Sequence, residues 1–331
     1  MKKIMLITTG GTIASLNYKN GLKPSIDGND LLNYIPSIRK KCDVDVLSMC
    51  SLDSTNIYHK HWLQLAKIIQ ENYERYDGFI IAHGTDTLAY TASALSYLIQ
   101  NSRKPIVLTG AQKPINLDVS DAKINLKDSF TYVLDENAKG VVVIFNGNVI
   151  LGSRARKVRT KSYNAFASID YPSIGIIQDD RYIPYIKDLS VDTKFYDKLN
   201  PNVALFKLIP GTNADILDYI LKNNEAVVIE SFGVGGLPTY EDNKYNEIID
   251  KAEKDKKIIV MTTQVPNEGS DIAIYQVGHH LKQYKNVLEA YDMPIESIVT
   301  KLMWILSITK NIDEVNKLFY QNINNDILFK K

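Results

Sequence analysis

Several things are scarce in this chain of 331 residues. There is no excess of one charge: 39 Lys and Arg stand against 38 Asp and Glu, a net charge of +1. Without a basic surplus to neutralise phosphates, a nucleic-acid ligand is not expected. No apolar run approaches the ~20 residues that a membrane-spanning helix requires, so no membrane association is expected. The apolar stretch Ile4-Met5-Leu6-Ile7 is also shorter than the ~7–15 residues of a secretory leader, and it runs straight into Thr8-Thr9-Gly10-Gly11. It reads as a first buried strand. Cysteine is rare, with only Cys42 and Cys50. Flanking a strand, they would lie ~25 Å apart, beyond disulfide reach. Two unpaired thiols and no leader point to a reducing, cytoplasmic location. His59, His61, His279 and His280 occur as H-x-H and His-His pairs without a further spaced ligand, so no metal site is expected. The phosphate-loop and dinucleotide glycine spacings are missing as well, and no cofactor is expected.

What is present is an ordinary globular composition, 45% apolar and 23% charged, with an alternating pattern. Lys3 to Thr8, Val44 to Met49, Gly78 to His83, Pro105 to Thr109 and Gly140 to Phe145 read as strands. Between them, Trp62, Leu65 and Ile69 share one helical face, as do Leu88, Ala92, Leu95 and Ile99. Strands alternating with helices predict an α/β fold with a parallel sheet covered on both faces. Arg154 to Leu189 breaks the pattern with short β-like pieces. The alternation restarts at Val203, after a polar stretch from Ser190 to Pro201. The expected organisation is a larger α/β domain over 1–189, a linker over 190–202 and a smaller α/β domain with a parallel sheet over 203–331.

Ligands of open α/β sheets bind beyond the carboxyl ends of the strands. Three polar clusters occupy such positions. Thr9-Gly10-Gly11-Thr12 follows the first strand. Its glycines suit a tight turn, a phosphate cradle or a close backbone approach beside the Thr12 hydroxyl, and a threonine needs a neighbouring base to act as a nucleophile. The segment Leu16 to Gly28 after it is long and polar and reads as a lid. Asp53-Ser54-Thr55-Asn56 follows the next strand and reads either as an Asx turn or as a reader of a small polar substrate. His83-Gly84-Thr85-Asp86-Thr87 opens a helix. There His83 is a satisfied buried histidine or a base, and Asp86 is a helix cap or a functional carboxylate. Lys157, in the basic stretch Arg154 to Lys161, is a solvated cation or a lysine held near a second threonine in position to take a proton.

The strand-terminal Thr9-Gly10-Gly11-Thr12-Ile13-Ala14-Ser15 together with His83-Gly84-Thr85-Asp86-Thr87 closely resembles the bacterial-type L-asparaginases. Ala89-Tyr90-Thr91-Ala92, Leu108-Thr109-Gly110-Ala111-Gln112, Ser120-Asp121-Ala122, Ser231-Phe232-Gly233-Val234-Gly235 and Lys301-Leu302 fit the same family, so the likeness runs along the whole chain. The absence of a leader resembles the cytoplasmic type I branch. The resemblance implies a flavodoxin-like, mostly parallel N-terminal sheet, and homodimers or homotetramers with active sites shared between subunits. It implies L-asparagine as the substrate. Thr12 is then the nucleophile, passing through a β-aspartyl ester to aspartate and ammonia. Thr85, Asp86 and Lys157 form a second triad, with Lys161 the rival lysine. Asp86 and Ser54 hold the substrate's α-amino and α-carboxylate groups, supported by Asp53 and Thr55. Backbone N–H groups beside Gly84, at Thr85 and at Ala111, face the oxyanion. Two departures stand out. Leu22 occupies the place of the lid tyrosine that many relatives have, which leaves Tyr18 as the lid candidate for activating Thr12. Gly236 replaces an asparagine common after the G-x-G of the second domain. The other readings are a glutaminase-asparaginase, an amidotransferase subunit or a non-catalytic small-molecule sensor. The transfer-RNA amidotransferase subunit of this fold has an extra N-terminal domain, and a chain starting at the first strand is not expected to be one.

Overall fold

The computed structural model describes residues 1–18, 21–24, 28–186, 192–240 and 243–329, without the side chains of 16–18, 21–24 and 277. The chain divides into two compact units, Met1–Asp197 and Lys198–Lys331. The expected junction at 189/190 lies outside the described residues.

In the first unit the strands are β1 (Lys3–Gly10), β2 (Ser15–Tyr18), β3 (Gly21–Pro24), β4 (Asp43–Leu52), β5 (Gly78–Ala82), β6 (Ile99–Gln100), β7 (Pro105–Thr109), β8 (Gly140–Phe145), β9 (Asn148–Leu151), β10 (Ala155–Lys157), β11 (Phe166–Ser168), β12 (Gly175–Gln178), β13 (Arg181–Pro184) and β14 (Lys194–Phe195). The helices are α1 (Gly28–Asn33), α2 (His59–Asn72), α3 (Leu88–Leu98) and α4 (Ala122–Leu134). The main sheet has eight strands in the order β13-β12-β9-β8-β7-β5-β1-β4. Its five strands from β8 to β4 are mutually parallel. Counting those five in chain order gives 2-1-3-4-5, the flavodoxin-like arrangement, with its topological switch between β1 and β5. Beyond β8 the pairing turns antiparallel through β9, β12 and β13.

The inner parallel strands β1, β5, β7 and β8 have apolar cores because both their faces are covered, whereas the edge strand β4 carries Asp43, Asp45 and Ser48 in exposed positions. One face carries Ile4, Leu6, Ile80, Val107 and Val142 against Leu31 and Leu32 of α1 and Leu126, Phe130 and Val133 of α4. Side chains alternate along a strand, so Met5, Ile7, Phe79, Ile81, Ile106 and Leu108 take the other face, all buried. The expected lid segment begins as a two-stranded antiparallel hairpin, with Asn17 opposite Leu22 and Tyr18 opposite Gly21. The side chains of Tyr18 and Leu22 lie outside the described residues. The stretch expected to connect the domains contains β14, which pairs with β6.

The second unit holds β15 (Val203–Lys207), α5 (Asp215–Asn223), β16 (Ala226–Ser231), α6 (Lys244–Lys254), β17 (Ile258–Thr263), α7 (Gln276–His279), β18 (Val287–Glu289), α8 (Ile295–Ile308) and α9 (Ile312–Phe319). Its four strands run parallel in the order β15-β16-β17-β18. Leu217 and Leu221 of α5 and Tyr245, Ile248 and Ile249 of α6 pack on Val227, Ile229, Ile259 and Met261. Lys301 of α8 is wholly buried. It is satisfied by Asp326 at 2.7 Å and the Gln321 carbonyl at 2.8 Å, which fastens the last residues to this helix.

Candidate active site

The three polar clusters picked from the sequence lie at the carboxyl ends of the parallel strands β1, β4 and β5, around the switch point. Glycine lets the loops meet there. Gly10 has φ +102° and Gly11 φ +76°, both in the region that favours glycine. A Cβ on Gly11 would stand 2.4 Å from the Cα and N of Gly84. A Cβ on Gly84 would stand 2.7 Å from the Cβ and Oγ of Ser54. The loops after β1 and β5 therefore touch backbone to backbone, and the Ser54 side chain of the β4 loop packs directly on Gly84. Gly11 N–H also donates to the Leu52 carbonyl at 3.0 Å.

Thr12 opens a short 3-10 turn, Thr12–Ala14, whose next residue, Ser15, donates its hydroxyl to the Gly11 carbonyl at 2.8 Å. Among the described residues nothing hydrogen-bonds the Thr12 hydroxyl. In the β4 loop, Asp53 accepts from Thr55 N at 2.9 Å and Thr55 Oγ1 at 2.8 Å, an Asx turn. That turn points Ser54 inward. The Ser54 hydroxyl oxygen accepts from Asp86 N at 3.2 Å, which leaves its own proton to donate, and its carbonyl accepts from Thr87 Oγ1 at 2.7 Å.

In the β5 loop, Asp86 is not a helix cap: α3 begins after Thr87 with no side-chain cap. Asp86 instead pairs through Oδ1 with Lys157 Nζ at 2.5 Å, and the same nitrogen donates to Thr85 Oγ1 at 2.8 Å. Lys157 ends β10, where pairing with Phe166 fixes its direction. It is largely covered, 17% exposed against 57% for Asp86. Lys161 is exposed in the loop beyond, and the lysine bonded to Thr85 and Asp86 is Lys157. The backbone N–H groups of Thr85 and Ala111, both buried, find no acceptor among the described residues. Unpaired buried donors are uncommon and suit a ligand oxygen.

His83 resolves to the structural alternative. It is fully buried, and burial pushes its pKa down to about 4. Its Nδ1 lies 2.7 Å from the Gly84 carbonyl, which can only accept, so Nδ1 carries the proton. Nε2 then accepts from Thr91 Oγ1 at 3.0 Å, and Thr91 accepts from Trp62 Nε1 at 3.0 Å. This neutral chain aims the Gly84 carbonyl away from the site. Across a trans peptide the Thr85 N–H then points the opposite way.

Sequence reasoning gave no role to Gln112 or Asp121. The buried Asp121 carboxylate accepts from Gln112 N at 2.9 and 3.1 Å and from Lys113 N at 3.1 Å, which fixes the loop that carries Ala111. Burial raises its pKa, and the N–H donors oppose that rise. Gln112 Oε1 in turn accepts from Thr85 Oγ1 at 3.3 Å. Among the described residues no group of His, Cys, Asp and Glu is arranged to hold a metal ion. Both cysteines are free thiols. No helix among the described residues is long and apolar enough to cross a membrane.

These features define an α/β enzyme with a threonine, lysine and carboxylate centre at the switch point of its larger sheet. Comparison with known proteins makes that class specific. Residues 3–188 match the family model "Asparaginase, N-terminal", and residues 202–319 match "Glutaminase/Asparaginase C-terminal domain". An L-asparaginase of Thermococcus kodakarensis is 36% identical over 98% of this chain and 99% of that protein. The solved structure of the thermostable L-asparaginase from that organism superposes with a TM-score of 0.93 at 35% identity, covering 99% of this chain and 100% of the other. A glutamyl-tRNA(Gln) amidotransferase subunit of Pyrococcus abyssi is 31% identical over 99% of this chain and 77% of its own length. The chain belongs to the asparaginase family of amide-cleaving enzymes.

Proposed function

We propose that this protein is an L-asparaginase of the type I branch, which hydrolyses the side-chain amide of L-asparagine to L-aspartate and ammonia. The observation that carries the reading is the contact of Lys157 with both Thr85 and Asp86, beside two unpaired backbone N–H groups and the Thr12 loop. In the first step Thr12 Oγ1 attacks the amide carbonyl. The C–N bond breaks, ammonia leaves with the added proton and a β-aspartyl ester remains. In the second step water attacks that ester, aspartate leaves and Thr12 regains its proton. The N–H groups of Thr85 and Ala111 face the oxyanion in both steps, and losing one such donor costs roughly 10²–10³ in rate. Ser54 donates to the substrate carboxylate and Asp86 accepts from its ammonium group, with Asp53 and Thr55 holding the Ser54 turn. Tyr18 is the proposed activator of Thr12. Two free thiols suit a cytoplasmic setting, and the assembly is proposed to be a homodimer or homotetramer.

Ammonia release from millimolar L-asparagine, without added metal or nucleotide, tests the activity. No release above background refutes it. Thr12→Ala is expected to abolish turnover with its circular dichroism unchanged, and a variant that keeps most of the rate moves the nucleophile to Thr85. The match of residues 202–319 to a glutaminase/asparaginase domain makes L-glutamine the parallel substrate to assay.

A further inference from the structure

Gln112 is hydrogen-bonded both to Thr85 and to the loop that follows Lys157. Its Nε2 faces two carbonyls, Arg159 O at 3.4 Å and Ser162 O at 3.3 Å. Carbonyl oxygens only accept, so the amide's NH2 lies on that side and Oε1 lies toward Thr85. Turning the amide over would set an oxygen against two carbonyls. Oε1 accepts as well, so the proton between it and Thr85 belongs to the threonine. A Thr85 lone pair is then left to accept from Lys157 Nζ, 2.8 Å away. The hydrogen bonds run one way, from Lys157 to Thr85 to Gln112, with Lys157 also held by Asp86 at 2.5 Å.

The backbone of Gln112 is fixed by the buried Asp121, so the side chain is aimed from a rigid base. The tip of the β10–β11 loop is docked on the same loop a second time. Tyr163 Oη donates to the Val119 carbonyl at 3.3 Å, and Lys113 Nζ lies 5.7 Å from the Tyr163 ring centre. Of these docking contacts only Gln112 reaches Thr85.

Resting on the activity proposed above, we infer that Gln112 is a positioning residue with two separable halves. Its amide oxygen keeps the Thr85 proton on the side away from Lys157, so that Thr85 relays Lys157's hydrogen bond instead of giving up its own proton. Its NH2 group holds down the loop that carries Lys157. Of the two threonines, Thr12 is thereby left as the hydroxyl free to attack.

Three variants separate the halves. Gln112→Met removes both, Gln112→Glu keeps an acceptor for Thr85 and removes the donors, and Tyr163→Phe loosens the dock without touching Thr85. The expected result is a fall of about tenfold in kcat for Gln112→Met at unchanged KM, with Gln112→Glu and Tyr163→Phe within about threefold of wild type. Trypsin cleavage after Arg159 and Lys161 reads the other half without turnover, and both Gln112 variants are expected to be cut severalfold faster than wild type. The inference is overturned if Gln112→Met keeps wild-type kcat, if Met and Glu lose kcat equally, if Tyr163→Phe loses as much as Met, or if cleavage is unchanged. A wild-type protein without turnover defeats the proposed activity, while the cleavage rates still judge the clamp.

Discussion

Gly11→Ala is the sharpest test of the idea that the β1 and β5 loops meet through their backbones. Gly11 has φ +76° and ψ 179°, a conformation open almost only to glycine. Holding alanine there costs on the order of 1–3 kcal/mol. The new methyl would also stand 2.4 Å from Gly84 Cα and N. Reaching an ordinary carbon contact requires ~1 Å of movement between the β1 and β5 loops. Overpacking of this kind costs ~1–3 kcal/mol more. The combined destabilisation is about 4 kcal/mol, a fall of roughly 8–16 °C in Tm for a unit of this size. The same ~1 Å displacement separates Thr12 from the Thr85 and Asp86 side, and misplacements of that size cost ~10²-fold in rate. Gly140→Ala is the internal control. Its φ is +75° but nothing lies within 4 Å of a Cβ there, and it sits at the opposite end of its strand from the site. It should lose ~1 kcal/mol and no activity. Melting curves and kcat/KM of the two variants decide the matter. The reasoning fails if Gly11→Ala melts and turns over like Gly140→Ala.

Two further expectations follow from the site. Lys157→Met should lower kcat at least ~10²-fold, the range of a positioned proton-transfer group, while Lys161→Met stays within about twofold of wild type; inactivity confined to the Lys161 variant reverses the assignment. The buried His83, with its pKa pushed down to about 4, is neutral in the folded protein and takes up a proton on unfolding below its ordinary value of 6.5. Its contribution to stability is therefore complete above about pH 6.5 and is lost as pH falls toward 4, about 2–3 kcal/mol by pH 4.5. Asp128, raised to about 6 by burial, works with the opposite sign in the same window. The measurement is thus a comparison of urea midpoints at pH 7 and 4.5 for wild type and His83→Gln. An equal acid loss in both proteins removes His83 from the account.

Much of the framework is legible in the sequence because burial on both faces leaves a plain record. The runs Lys3 to Thr8, Pro105 to Thr109 and Gly140 to Phe145 are apolar through their centres, and each is a parallel strand. Two of the clusters at their ends can be read for the same reason: a glycine-rich turn after such a run has few structural uses. The rest is hidden by distance along the chain. The antiparallel edge β9, β12 and β13 consists of four-residue strands, too short for a period to declare itself. The pairing of β14 with β6 joins Lys194 to Gln100, and no local pattern announces such a partner. The segment after Thr12 reads as a polar lid, yet its backbone alternates across a hairpin. Asp121 and Gln112 lie within the motifs that carry the family resemblance, but nothing near them in the sequence gives them a task. Their importance lies in what they hold, the backbone of one loop and the hydroxyl of another, and single-sequence reading does not see backbone partners.

The line from Trp62 through Thr91 and His83 to the Gly84 carbonyl has a practical consequence. The protein has only two tryptophans, Trp62 and Trp304. Indole emission responds to the hydrogen bond at its nitrogen, and that bond is three links from the peptide that aims the Thr85 N–H. A Trp304→Phe background would leave a single tryptophan, selectively excited beside the 20 tyrosines and linked by hydrogen bonds to the candidate site. The arrival of a substrate or an analogue could then be followed optically, in real time and without a label, from a residue that never touches it.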